Sequence, residues 1–418
     1  MNVLIKSASI VAPGNHSLHL KKRDIHIKNG KIASIAPKIS IHDGVKMIQL
    51  DNLHVSLGWF DSGVAFGEPG YEERETLANG LDVASKSGFT GILLNTNTSP
   101  APDNGPAIVF LKNQSVKNST VLYPLGNLTL KGEGEALAEM YDMHQAGAVA
   151  FYDFKAPMGN ANLMKIALQY AQSFNGLIFS HPLDKKVKGK GVAHEGVVST
   201  RLGLKGIPSL AEELQIARDL YILEYTGGKL HIPTISSEGS VKLIADAKKK
   251  GLDITCSVAI HNLALTDATL EEFDSNYKLM PPLRAQKDAK ALQKAILSGT
   301  IDFVTSDHTP MDIEEKRVEF DNAGYGTIGL ESAFGVLNSI FGMEKTVELL
   351  TKGRSRFALE VPRLKEGEVA NLTLFNPSGN YVFGKESILS TSKNSAFSGY
   401  DITGKVYGVV NNGKVNLA

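Results

Sequence analysis

Carboxylate and imidazole side chains follow several short apolar runs, and these residues could carry out chemistry. Asp153 ends the run GAVAFYD, His181 lies in FSHPLD, and Asp307 precedes His308 in TSDHTP. An aspartate can act as a general base when a water or substrate is held within hydrogen-bonding reach. Carboxylate and imidazole groups also bind zinc, so these residues could in principle hold one ion.

Each of these residues also has a purely structural interpretation. Asp307 could cap the end of a strand by accepting hydrogen bonds from nearby backbone, and we favour this interpretation over a working base. Asp153 and His181 could belong to a polar interior in which hydrogen bonds satisfy them. Arg284, which follows Pro281-Pro282, could reach an anionic ligand or form a structural ion pair.

Alternating strand and helix patterns fill the middle of the chain and must position these side chains. Helical patterns such as Thr76–Ser87 and Leu210–Glu224 separate eight strand patterns. The strand patterns are Leu57–Asp61, Thr90–Asn95, Thr120–Tyr123, Ala148–Asp153, Leu177–Ser180, Lys229–Thr234, Asp253–Val258 and Asp302–Ser306. Eight repeats over about 300 residues predict an α/β fold of the (β/α)8 TIM-barrel type. An open doubly wound sheet is the alternative, although no Gly-rich phosphate loop follows the first strand.

Strand patterns also dominate both ends of the chain. Asp24–Lys28 and Lys31–Ile35 flank Asn29-Gly30, and a second Asn-Gly pair stands at Asn412-Gly413. Asn-Gly between alternating runs is a strong signal for a β-hairpin. The sequence therefore predicts that the two termini pair into one small β domain.

The composition excludes several classes of function. Lys+Arg and Asp+Glu are both 44, so no basic surplus indicates nucleic acid or a membrane surface as a partner. The single cysteine, Cys256, allows neither an internal disulfide nor a cysteine zinc site. The N-terminal segment lacks a signal-peptide pattern, and no long apolar run predicts a membrane span. We expect a cytoplasmic protein.

Several blocks resemble the dihydroorotase, allantoinase and hydantoinase branch of the amidohydrolase superfamily. Their order and spacing extend over nearly the whole chain, and LGLKGIP, PPLR and SDH…EEK are most similar to barrel-type dihydroorotases. The blocks include Gly58–Gly70, Ser87–Pro100, Arg201–Asp219, Thr226–Val241, Gly299–Pro310 and Leu364–Pro377. The resemblance implies a (β/α)8 barrel, residues 54–361. It also implies a β-sandwich domain formed by both termini, residues 1–53 plus 362–418.

The resemblance also implies a metal pair, which in this family activates a water and polarises the carbonyl of a cyclic amide. Three of the six family ligand positions keep a possible ligand, namely Asp153, His181 and Asp307. The other three positions have lost it and hold Gly63, Ala65 and Thr234. The first two of these replace the HxH histidine pair of the first strand. We therefore expect a degenerate zinc site and no tightly bound metal.

The family's substrate-binding positions are changed as well. The arginine that would hold a substrate carboxylate by its bidentate fork is replaced by Gly67. Met280 and Met311 replace an asparagine and a histidine of the same site. Asn97 keeps the asparagine after the second strand, and with Arg284 it is our predicted substrate-binding residue.

These observations predict a dihydroorotase-like protein of the pyrimidine-biosynthesis family that has lost its usual activity and has a structural or regulatory role. Asp307 would then be a vestigial or altered general base. Two alternatives stay open. The chain could be a dihydroorotase that uses zinc with an unusual ligand set to convert dihydroorotate and water into carbamoyl aspartate, or a hydrolase of a related cyclic amide. The resemblance implies a homo-oligomer and, as for other inactive chains of this kind, assembly with aspartate carbamoyltransferase.

Overall fold

The regular structure consists of a ring of parallel strands, the helices that lie mainly between them, and a terminal β-sheet. The computed structural model describes residues 1–40 and 44–418. The strands are β1 (Asn2–Ile10), β2 (Lys22–Lys28), β3 (Lys31–Ala36), β4 (Lys46–Ile48), β5 (His54–Leu57), β6 (Trp59–Val64), β7 (Phe89–Leu94), β8 (Val121–Pro124), β9 (Leu177–Phe179), β10 (Ala193–His194), β11 (Gly206–Ile207), β12 (Lys229–Ile232), β13 (Ile254–Ala259), β14 (Phe303–Thr305), β15 (Leu372–Val382), β16 (Asp401–Asn411) and β17 (Lys414–Leu417).

The helices lie mainly between the strands of the ring. They are α1 (Leu77–Lys86), α2 (Gly105–Asn113), α3 (Met140–Ala146), α4 (Ala161–Gln172), α5 (Lys185–Lys188), α6 (Val197–Leu202), α7 (Ser209–Thr226), α8 (Glu238–Lys249), α9 (Ile260–Ala264), α10 (Gln286–Leu297), α11 (Ile313–Lys316), α12 (Leu330–Phe341) and α13 (Met343–Thr351). Local capping explains several starts: the Thr76 hydroxyl accepts from the Asn79 amide before α1, and the Asp184 carboxylate accepts two amides before α5. Among the helices of the described residues, none is long and apolar enough to cross a membrane.

The terminal sheet joins the two ends of the chain, as predicted. Its strand order is β17-β16-β15-β5-β1-β2-β3, and β4 pairs with β1. β5 links the ends because it runs parallel to β1 and antiparallel to β15. The two predicted Asn-Gly turns are confirmed, since Asn29 and Asn412 have φ angles of 52° and 50° between paired strands. β5 lies within the segment that the sequence assigns to the barrel, and the predicted domain bounds stay a prediction.

Eight parallel segments follow one another around the ring. β6, β7 and β8 pair in that order, and β9, β12, β13 and β14 form a second run. The fourth segment is shorter than the sequence predicts, because only Phe151 makes ladder bridges, to Gly126 and Ile178. A bridge between Val64 and His308 joins the first strand to the end of the eighth. The predicted (β/α)8 barrel is therefore observed, and the open doubly wound sheet is not.

A buried carboxylate strengthens the junction between the first and last strands of the barrel. Asp61 is 1% exposed and accepts from Gly63 N at 3.0 Å, Thr305 Oγ1 at 2.6 Å and Ser306 N at 3.0 Å. Burial raises the pKa of Asp61, while the hydrogen bonds from Ser306 and Thr305 oppose that rise. A Cβ atom added to Gly63 would lie 2.8 Å from Thr305 Oγ1, so a larger residue at this position would require Thr305 to shift.

The barrel and the terminal sheet meet at an aromatic cluster around Trp59, which is fully buried. The Trp59 ring stacks on Phe334 with centroids 4.9 Å apart and lies 5.5 Å from Phe375 of β15. The Trp59 amide donates to Thr373 Oγ1 at 3.2 Å. The aromatic cluster holds β6 at its first residue, and Asp61 holds it near its middle, so these contacts fix the direction of the strand toward the barrel mouth.

We predict that Asp61→Ala lowers the free energy of unfolding by about 3 kcal/mol, because it leaves three buried donors without an acceptor. Urea denaturation followed by circular dichroism measures this change. Asp246→Ala is the matched control, since the Asp246 side chain is 71% exposed, and its effect should stay within about 0.5 kcal/mol. Equal effects of the two substitutions would contradict the role assigned to Asp61.

Candidate functional site

A cavity of about 610 Å³ opens where the barrel strands end at their carboxyl termini. Its wall includes Asn97, Lys155, Leu183, Met280, Thr309 and Met311, which follow five of the eight parallel segments of the barrel. Barrel enzymes place their active sites at this face. Two other cavities, of about 740 and 690 Å³, contain none of the ligand or substrate residues predicted from the sequence. The barrel mouth is therefore the candidate functional site.

Asp307 is paired with a lysine at the barrel mouth. The Lys155 ammonium donates to Asp307 Oδ2 at 3.0 Å, and the two side chains are 14% and 6% exposed. Burial raises the pKa of Asp307, and the charge and hydrogen bond of Lys155 oppose that rise. Lys155 and Asp307 have φ angles of 52° and 47°, a left-handed conformation that non-glycine residues adopt only where their surroundings impose it.

The sequence prediction did not include Lys155. Its position two residues after Asp153, in the loop after the fourth strand, is the one signal that could have drawn attention to it. The hydrogen bond from Lys155 holds the Asp307 carboxylate in place.

Two neutral histidines lie near this ion pair. His181 is buried, its Nδ1 lies 3.4 Å from the Tyr152 hydroxyl, and its Nε2 has no hydrogen-bond partner among the described residues. Burial lowers the pKa of His181 to about 3, and the charges of Lys155 and Lys185 add to the effect. His261 is also buried, and burial together with Lys155 lowers its pKa to about 3. Both rings are therefore uncharged at neutral pH and can act as hydrogen-bond donors or acceptors.

Asp153 is bound to the loop that follows the third strand. Its Oδ1 accepts from Leu128 N at 2.9 Å, Thr129 N at 3.0 Å and Asn127 Nδ2 at 3.3 Å, and its Oδ2 accepts from Thr129 Oγ1 at 2.6 Å. Burial raises the pKa of Asp153, and these hydrogen bonds oppose the rise. The contacts match the interpretation of Asp153 as part of a satisfied polar interior.

The remaining positions predicted from the resemblance offer little to a metal. Gly63 and Ala65 carry no donor atom in their side chains, and Thr234 offers only a hydroxyl. Within the ranges 1–40 and 44–418, no group of three or more His, Cys, Asp or Glu residues is placed to hold a metal ion. With Asp153 and Asp307 already engaged, the residues at the barrel mouth do not fit a metal pair.

The structure separates the two predicted substrate-binding residues. Asn97 lines the cavity, and its buried Oδ1 has no partner in the described chain. Arg284 is not among the residues lining this cavity. It is 3% exposed and donates to Ile207 O at 2.9 Å and Ser236 Oγ at 3.0 Å, and its Nη2 lies 3.4 Å from Glu212 Oε2. Substrate binding by Arg284 stays a prediction, and the observed ion pair corresponds to its structural alternative.

We predict that Lys155 and Asp307 stabilise each other by about 2 kcal/mol, because the pair is largely shielded from water. A double-mutant cycle of Lys155→Met, Asp307→Asn and the double variant, measured by urea denaturation, isolates this coupling. The pair Lys249–Asp246, whose side chains are 77% and 71% exposed, serves as the control and should show roughly 0.5 kcal/mol or less. A coupling for the buried pair as small as that of the control would argue against the contact.

Comparison with known proteins agrees with this architecture. The profile of the family described as Dihydro-orotase-like matches residues 54–240. The chain is 38% identical to the dihydroorotase of Pelotomaculum thermopropionicum, with 99% of this chain and 98% of that protein covered. It is 35% identical to the dihydroorotase of Syntrophus aciditrophicus, with 99% of both chains covered.

Solved structures show the same fold at lower identity. The L-hydantoinase (dihydropyrimidinase) from Arthrobacter aurescens superposes with a TM-score of 0.84 at 22% identity, covering 99% of this chain and 95% of that one. The D-hydantoinase (dihydropyrimidinase) from Thermus sp. gives a TM-score of 0.79 at 18% identity, with the same coverage. The fold, a barrel with a β-sandwich, is shared with hydantoinases. The sequence identity of 35–38% to dihydroorotases over nearly the full length shows that this chain belongs to the dihydroorotase family of cyclic amidohydrolases.

Proposed function

We propose that this chain is a pseudoenzyme of the dihydroorotase family, which does not hydrolyse dihydroorotate and has a structural or regulatory role. The observation that carries the proposal is the Lys155–Asp307 ion pair at 3.0 Å. By resemblance, Asp307 stands where the family has an aspartate that acts as metal ligand and general base. An ammonium bound to that carboxylate repels a metal cation by Coulomb's law and competes with water for the carboxylate's lone pairs.

The other ligand positions support the same proposal. Gly63 and Ala65 occupy the places of the first-strand histidine pair in the resemblance, and a Cβ atom at Gly63 would press against Thr305. Asp153 accepts four hydrogen bonds from the loop 127–129. We therefore propose that the protein works without zinc. We also propose that it works in the cytoplasm, which its single cysteine, Cys256, supports.

A specific observation favours a second candidate, a hydrolase of dihydroorotate or another cyclic amide with an unusual site. The cavity of about 610 Å³ persists at the barrel mouth, with Asn97 in its wall and the neutral His181 near it. Relatives up to 38% identical are named dihydroorotase. In this candidate Asp307 would be the general base once Lys155 had moved away from its carboxylate. Zinc would be the cofactor if residues outside the family's six ligand positions bound it.

We predict that the protein, purified after growth with added zinc, holds far less than one metal ion per chain and does not turn over dihydroorotate above background. Elemental analysis and a dihydroorotase assay in both directions, run on one sample, make the measurement. An active dihydroorotase prepared in parallel controls for loss of metal during purification. Stoichiometric zinc with turnover would overturn the proposal, and an Asp307→Asn variant would then show whether Asp307 is the base.

A protein without its own reaction needs a partner through which to act. We propose aspartate carbamoyltransferase as this partner and a homo-oligomer as the assembling form. The support is the resemblance to inactive dihydroorotase-like chains that assemble with that enzyme. The protein should co-elute with the aspartate carbamoyltransferase of its own source in size-exclusion chromatography with light scattering. Separate elution of the two at micromolar concentrations, under conditions in which each is folded, would contradict the proposal.

A further inference from the structure

Another cavity, of about 690 Å³, lies at the face of the barrel opposite the mouth. Val121, the first residue of β8, and Arg354, which follows α13, are among its lining residues. Arg354 reaches the amino-terminal end of β7, since its Nη2 donates to Thr90 Oγ1 at 2.9 Å. Asn411, the last residue of β16, also lines the cavity. The cavity therefore lies between the barrel and the terminal sheet.

Arg354 brings a positive charge to this cavity without a counter-ion. The residue is 2% exposed, and it forms no ion pair within 4.0 Å in the described part of the chain. Its Nη2 donates to Thr90 Oγ1 and lies 3.4 Å from Trp59 O, while its Nε has no hydrogen-bond partner among those residues. Burial lowers the pKa of Arg354, and the neighbouring Tyr123 hydroxyl opposes that decrease. Buried charges are costly to remove from water and are normally paired, so this guanidinium suits an anion that comes from outside the chain.

The second barrel strand leaves room for this guanidinium. A Cβ atom added to Gly91 of β7 would lie 2.9 Å from Arg354 Nη1 and 3.1 Å from Tyr123 Cε2. Arg354 Cζ lies 5.1 Å from the centroid of the Phe60 ring, a cation–π contact that attracts the charge but uses none of the N–H donors. A guanidinium has five such donors, and the contacts with Thr90 and Trp59 involve Nη2 alone. Donors therefore remain for a ligand.

The other lining residues indicate which molecule fits. Glu360 and Glu368 line the cavity, so a ligand with several negative charges would be repelled. An apolar part of the wall is formed by Val361, Pro362 and Val369. A volume of about 690 Å³ is that of a small-molecule site. These features favour an organic molecule that has one anionic group and an apolar body.

We propose that this cavity binds a small organic molecule whose single anionic group, a carboxylate or a phosphate, pairs with Arg354 beside the Tyr123 hydroxyl. The planar guanidinium fork matches both groups in geometry and charge. Arg363 also lines the cavity, but it is exposed and the proposal does not depend on it. The cavity shares no lining residue with the barrel mouth, so the inference goes beyond the proposed function and stands independently of it.

Isothermal titration calorimetry on the full chain tests this inference with benzoate and phenyl phosphate as separate probes. Benzamide, which matches benzoate in size without its charge, should bind at least about tenfold more weakly than benzoate. Stronger binding of benzoate indicates a carboxylate ligand, and stronger binding of phenyl phosphate indicates a phosphorylated one. No saturable binding of either probe up to about 10 mM, the range expected of molecules of this size, would overturn the inference.

Matched arginine variants locate the bound probe. Arg354→Met removes the charge, keeps a long side chain and should weaken binding at least about tenfold. Arg354→Lys keeps the charge without the planar fork and should weaken binding about fivefold. Arg317→Met, at an exposed arginine outside this cavity, should leave affinity unchanged. Equal affinities of Arg354→Met and the unmodified chain, or equal weakening by Arg317→Met and Arg354→Met, would contradict the proposed site.

Thermal unfolding separates lost affinity from lost folding. A buried charge without a counter-ion adds little stability, so Arg354→Met should keep the Tm of the ligand-free chain to within about 3 °C. A saturating probe should raise the Tm of the unmodified chain and leave that of Arg354→Met unchanged. If Arg354→Met does not fold, Tyr123→Phe provides the test, because losing one hydroxyl contact should weaken binding about threefold. Unchanged affinity of a folded Tyr123→Phe would then contradict the site.

Discussion

Charge balance at the barrel mouth is the constraint on which the rest of this site depends. A carboxylate as deeply buried as Asp307 needs either a nearby positive charge or several hydrogen-bond donors, because its desolvation otherwise costs several kcal/mol. Lys155 meets that need from the loop after the fourth strand. Its charge then acts on its surroundings, since it adds to burial in keeping His181 and His261 neutral. One ammonium therefore contributes to the pKa shifts of Asp307, His181 and His261, in which burial is the largest cause.

The barrel gives this arrangement a rigid base. Asp61 holds the first strand against the eighth, and Asp307 lies two residues after Thr305, the residue that donates to Asp61. The Asp307 amide itself donates to Thr305 Oγ1 at 3.1 Å. The Thr305 hydroxyl therefore contacts both Asp61, which joins the first and eighth strands, and the backbone of Asp307 at the barrel mouth. The left-handed conformation of Asp307 is supported by this contact and by the hydrogen bond from Lys155.

Much of the fold could be predicted from the sequence, because its signals are local. The eight strand patterns and the two Asn-Gly turns depend on residues a few positions apart, and the structure has them close to where the patterns place them. The fourth segment was predicted too long, and its pairing is reduced to Phe151. The side chains that contact Asp307 and Asp153 could not be predicted from the sequence, because they lie far from these residues along the chain. The Lys155–Asp307 contact joins residues 152 positions apart, and the loop that binds Asp153 lies 24 to 26 positions before it.

The close contact at Gly63 limits which substitutions the first strand of the barrel can accept. A side chain at this position would collide with the Thr305 hydroxyl, which is already hydrogen-bonded to Asp61. A larger residue at position 63 would require Thr305 to shift, and a smaller residue at position 305 would remove one of the donors to Asp61. Asp61, Gly63 and Thr305 are therefore coupled, so the effect of a substitution at one of them on stability depends on the residues at the other two.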